Sequence, residues 1–78
     1  MAKKVVIDLM TEDPTRKARA RTIAVNEVTG LQSVDYAGEN GNMLEVIAER
    51  VDATRVVDKI RREANLQGAK LISVNDQN

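Results

Sequence analysis

The chain has 78 residues, with 12 basic and 12 acidic side chains, no cysteine and no histidine. A chain this short makes one small domain, residues 1–78, of modest stability, since it buries only about 60% of the surface its unfolded form exposes. Zero net charge argues against general nucleic-acid binding. The missing cysteines exclude disulfides and thiolate metal sites, and the missing histidines remove the commonest catalytic base and transition-metal ligand. No apolar run reaches the length of a membrane-spanning helix, and the basic start lacks a signal-peptide apolar core. A cytoplasmic protein without a membrane partner is therefore expected.

The first element is "KKVVIDLM", residues 3–10, whose apolar and β-branched run predicts a strand. "TEDPTRK" follows, with Asp13 as N-cap and Pro14 at the first helical position. The helix is expected over 14–28, with Ala20, Ile23, Ala24 and Val28 as its buried stripe and Gly30 as a left-handed cap. Residues 31–38 predict a second strand, with Val34 and Tyr36 on one face and Ser33, Asp35 and Ala37 on the other. Asn40-Gly41 signals a hairpin turn. Residues 43–50 form the returning strand, with Leu44, Val46 and Ala48 inward and Met43, Glu45, Ile47 and Glu49 outward. Asp52 caps a second helix, 53–67, with Val56, Val57, Ile60 and Ala64 as its stripe and Gly68 as its stop. Residues 69–75 make a last strand, and the tail at 75–78 is expected to fray.

The order βαββαβ predicts an α+β, ferredoxin-like sandwich: a four-stranded antiparallel sheet with both helices on one face. The other face then carries Asp35, Ala37, Met43, Glu45, Ile47 and Glu49, with Glu39 near the turn, and is expected to be acidic. The helices carry Arg16, Lys17, Arg19 and Arg21, and Arg55, Lys59, Arg61 and Arg62. Such an asymmetry would steer a partner. Equally, these are the ordinary solvated faces of a small domain.

Base stacking on this sheet is disfavoured, because the middle strands offer acids and Tyr36 is expected to point inward. An acylphosphatase-like site would need an anion-cradling loop, usually rich in glycine; residues 9–17 have none and carry Glu12 and Asp13. A binding module is favoured over an enzyme, with no cofactor.

The stretches "TGLQSVDYAGE", "LEVIAERVDATRVVDKIR" and "KLISV" resemble the heavy-metal-associated (HMA) domain family over nearly the whole chain. The likeness is greatest to plant HMA-like proteins, both small HMA proteins and the HMA domains integrated into NLR immune receptors of cereals. Ala48 stands where the family usually has glycine, and Arg50 where a small residue is common. The family's Met-x-Cys-x-x-Cys metal motif falls on Met10, Glu12 and Thr15. Soft thiolates select Cu(I) and Zn(II), so carboxylate plus hydroxyl implies a degenerate loop and a lost metal function.

The resemblance implies protein binding instead. Integrated HMA domains resemble decoys that bind secreted fungal effectors through the second, third and last strands. By position this implicates Glu39 and Glu45, flanked by Asp35, Ala37, Met43 and Ile47, with Lys70 and Ile72 from the last strand. The partner expected is a fungal effector protein, and weak homodimerisation is a further mode. Three alternatives stand beside this: a host HMA protein that effectors target, residual metal handling, and a generic ferredoxin-like regulatory domain.

Overall fold

A computed structural model describes residues 2–77, the side chain of Gln77 aside. The elements are β1 (Ala2–Asp8), α1 (Pro14–Asn26), β2 (Thr29–Ala37), β3 (Met43–Arg50), α2 (Ala53–Glu63) and β4 (Lys70–Gln77). The strands form one antiparallel sheet in the order β2-β3-β1-β4. Placing β1 and β3 at the centre is what two β-α-β crossovers joined by a hairpin require. The ferredoxin-like fold expected from the element order is the fold observed.

Alternation along the strands sends one set of side chains to the helices. Val5, Ile7 and Leu9 join Leu44 and Val46 against Ala20 and Ala24 of α1 and Val56, Val57 and Ile60 of α2. Ile7, Leu9, Leu44 and Ile60 are fully buried. The core holds no aromatic ring; the chain has no Phe or Trp, and Tyr36 is 43% exposed. Tyr36 lies opposite Leu44 and so faces the helix side as expected. It stays open because β2 is an edge strand that α1 covers only in part.

Both helix caps form as expected. Asp13 Oδ1 accepts from Thr15 N at 2.9 Å, and Asp52 Oδ1 from Arg55 N at 3.2 Å. The helix ends are earlier than periodicity suggests. In α1 the N–H of Glu27 is shared between the carbonyls of Ile23 and Ala24, which closes the last turn. The β-branched pair Val28-Thr29 then enters β2. Gly30 is thus no helix cap; it lies inside β2 at φ 69°. In α2 the helix stops at Glu63 and the reversal falls on Asn65, at φ 57°, inside the stretch 53–67 that periodicity assigns to helix, and Gly68 is not left-handed. The early stop lets Leu66 and Ala69 turn back into the core, with Ala69 N donating to Leu66 O.

The tail also departs from expectation. Asn75 and Asp76 pair with Lys4 and Lys3 of β1, so the last strand runs on to Gln77. Asn78 lies outside the described residues. The hairpin turn is wider than a two-residue Asn-Gly turn. Gly41 N donates to Gly38 O at 3.2 Å around Glu39 and Asn40, and both glycines take positive φ.

Candidate functional site

The sheet face away from the helices has no covering layer among the described residues. Antiparallel partners share a face, so the pairing places its residues. Asp35 stands opposite Glu45, Ala37 opposite Met43, and Ser33 opposite Ile47. On the other side of β3, Met43 faces Asp8, Glu45 faces Val6 and Ile47 faces Lys4. Met43, Glu45 and Ile47 are half-buried in the middle of this surface, while Asp35 and Lys70 are exposed nearer its two edges.

This surface is not uniformly acidic, as the alternation in β2 and β3 alone suggested. β1 supplies Lys4, whose Nζ lies 3.0 Å from Glu45 Oε1, and β4 supplies Lys70 opposite Asp8. Asp35 is opposite Glu45, and such like-charged neighbours are mutually unfavourable. The Lys4 ammonium offsets that repulsion on the Glu45 side. The face is therefore a mixed strip, with Asp35 and Glu45 toward β2, and with Lys4 and Lys70 beside Asp8 toward β1 and β4. The signal for this was present in Lys4, Val6 and Asp8, which alternate with the buried Val5 and Ile7.

Both edges of the sheet are interrupted. On β2 the register shifts between Leu31 and Ser33, leaving Gln32 as the extra residue; its Nε2 donates to Glu49 Oε1 at 3.2 Å. On β4 the register shifts between Leu71 and Ser73, leaving Ile72 as the extra residue. Ile72 is 46% exposed and is not a regular member of either face. Bulges of this kind limit strand addition at open edges. The regular stretches left are Ser33 to Ala37 on β2 and Ser73 to Gln77 on β4.

Glu39 sits in the turn and not on the sheet. It lines an open groove of about 510 Å³ together with Asp8, Met10, Glu12, Asn42 and Met43. The loop after β1 forms the groove's other wall. Asp8 Oδ1 accepts from Met10 N at 3.0 Å, which holds Met10 in a left-handed conformation at φ 54° with its side chain 57% exposed. Thr11 Oγ1 accepts from Asp13 N, and Leu9 N donates to the backbone carbonyl of Asn42. Thr15 belongs to the first turn of α1. Met10, Glu12 and Thr15 are thus spread over a loop and a helix start. Among the described residues no three His, Cys, Asp or Glu side chains are grouped to hold a metal ion.

The helix bases are mostly engaged. Glu27, at the end of α1, receives both Lys59 and Arg55 from α2, the latter at 3.5 Å. The Lys59 hydrogen bond is the main cause that holds the Glu27 carboxyl below its ordinary range, and Glu27 in turn raises the Lys59 amine. Arg62 pairs with Asp58 at 3.0 Å, and Arg61 Nε donates to Ala69 O at 2.7 Å. Arg19 and Arg21 on α1 make no ion pair among the described residues. The helix side therefore carries pairs within α2 and from α2 to Glu27, while on α1 Arg16 pairs with Asp13 at 3.7 Å and Arg19 and Arg21 stay unpaired among the described residues. Compared with known proteins, the chain matches no family model and no curated protein.

Proposed function

We propose that the chain is a protein-binding HMA-like domain that has lost metal binding and works as a binding module rather than an enzyme. Its partner is a secreted fungal effector protein met in the plant cytoplasm, with the domain carried as a decoy in an immune receptor. A stand-alone host HMA protein would present the same surface. The observation that carries the reading is the uncovered sheet face, where half-buried Met43, Glu45 and Ile47 stand beside exposed Asp35. A half-buried apolar strip with Asp35 and Glu45 on its β2 side is suited to a partner that brings basic and apolar side chains to that side. Base stacking is not supported, because the face has no aromatic residue and Tyr36 lies on the other side.

Surface plasmon resonance of the domain against a panel of secreted fungal effectors tests this. Saturable binding is expected, and Glu45→Lys should weaken it by about tenfold or more. The same variant loses its pairing with Lys4, so its folding is checked separately; a partly exposed pair is worth no more than about 1 kcal/mol. Equal affinity for the wild type, Glu45→Lys and Asp35→Lys would remove the sheet face from the reading.

A further inference from the structure

The β2–β3 turn brings together the reagents for a covalent change that needs no other protein. Asn40 is exposed, and its side-chain amide makes no hydrogen bond among the described residues. The next residue is Gly41, whose backbone nitrogen has no side chain beside it to hinder attack on the Asn40 amide carbon. Lys17 reaches across from α1, and its Nζ donates to the backbone carbonyl of Asn40 at 2.9 Å.

We infer that Asn40 is a site of spontaneous deamidation through a cyclic imide, with Lys17 as a positioning residue that polarises the ring-forming peptide. The Gly41 nitrogen loses its proton and attacks Cγ of Asn40, forming the N–Cγ bond. The tetrahedral centre collapses, the Cγ–Nδ2 bond breaks, and the side-chain nitrogen leaves as ammonia. Water then adds to one of the two ring carbonyls and breaks its bond to the ring nitrogen. Attack at the side-chain carbonyl leaves aspartate; attack at the main-chain carbonyl leaves isoaspartate. The net change is one amide and one water converted to one carboxylate and one ammonium, with no oxidant or reductant.

Lys17 matters at two points. An ammonium on the Asn40 carbonyl withdraws electron density from the peptide, which makes the Gly41 N–H easier to deprotonate. The same carbonyl becomes the main-chain carbonyl of the ring, so the ammonium stabilises the oxyanion when water adds there. Deamidation is opposed by the turn itself, because Gly41 N donates to Gly38 O at 3.2 Å and must be released first. Loop tips of this kind open readily. The product puts a new carboxylate beside Glu39 and Lys17, and the isoaspartate form lengthens the main chain by one methylene.

The test is incubation of the purified chain at neutral and mildly alkaline pH, followed by peptide mass spectrometry and isoaspartyl methyltransferase labelling. Conversion is expected at Asn40 ahead of Asn26, Asn42, Asn65 and Asn75, faster at the higher pH. Asn40→Gln should abolish it at this position with the fold unchanged by circular dichroism. Gly41→Ala should slow it by about tenfold or more. Alanine has room there, with Lys17 Nζ at 3.7 Å and Tyr36 Cβ at 3.8 Å from its Cβ, although φ 65° strains it. Lys17→Met should lower the ratio of isoaspartate to aspartate and slow the conversion, which loss of a merely structural tether would not do, since a looser turn reacts faster. An intact Asn40 in the folded chain, under conditions that convert a free peptide spanning residues 36–44, would overturn the site. An unchanged ratio in Lys17→Met would overturn the role of Lys17.

Discussion

Gly30 lies directly against Glu49: a Cβ built on Gly30 would stand 2.7 Å from both Cβ and Cγ of Glu49, and Gly30 sits at φ 69°. Two independent constraints therefore meet at one position, a left-handed backbone and a neighbour that occupies the space. Gly30→Ala is expected to destabilise the fold by about 1–3 kcal/mol. In Gly30→Ala/Glu49→Gly the steric part should be relieved while the backbone part remains. Urea denaturation of the single and double variants measures this; a neutral Gly30→Ala would mean that β2 adjusts freely at its bulge.

Asn65 and Gly68 should respond in the opposite sense from their residue types. Asn65 holds the left-handed position that ends α2, so Asn65→Gly is expected to be neutral or stabilising. Gly68 has no positive φ, and a Cβ there would meet Met10 Cβ at 3.7 Å, an ordinary contact. Gly68→Ala should then stabilise by about 0.4–1 kcal/mol through the unfolded chain. Thermal melts of the two variants separate this arrangement from one in which Gly68 caps the helix.

The Glu27–Lys59 pair joins the end of α1 to α2 and makes stability pH-dependent. Glu27 has a lowered pKa in the fold, chiefly through the Lys59 hydrogen bond, so its contribution is present above the ordinary 4.5 and is lost as pH falls below it. Lys59 has a raised pKa, so its contribution is present below the ordinary 10.5 and is lost as pH rises through the higher folded value. Glu27→Gln should therefore flatten the acid limb of a pH–stability curve and leave the neutral region lower. An unaltered acid limb in Glu27→Gln would show that other carboxylates govern acid unfolding.

Leu44 is fully buried in the central strand against both helices' apolar stripes. Leu44→Ala is expected to cost about 2–5 kcal/mol, and each kilocalorie lowers the melting temperature of a domain this size by about 4–8 °C. For a chain with no Phe or Trp in its core, that is a large part of its stability. A fully folded Leu44→Ala at ambient temperature with an unchanged melting point would show that the core tolerates the cavity by collapse.

The order of elements, the inward residues of β3, both N-caps and the apolar stripe of α2 were legible in the chain itself. Each rests on a local rule: alternation in a strand, three- and four-residue spacing in a helix, or a short acid before a helix start. The tertiary structure alone decided where the helices stop, because Leu66 and Ala69 must return to a core that no local pattern describes. It also decided that Gly30 serves a close strand contact rather than a helix cap, since Glu49 is far away in sequence. The open face shows the same division. The acids of β2 and β3 alternate visibly in sequence, but Lys4 joins Glu45 only once β1 is inserted beside β3. Local periodicity says which way a side chain points; which charge lies opposite is set by strand order, and that depends on the packing of the whole chain.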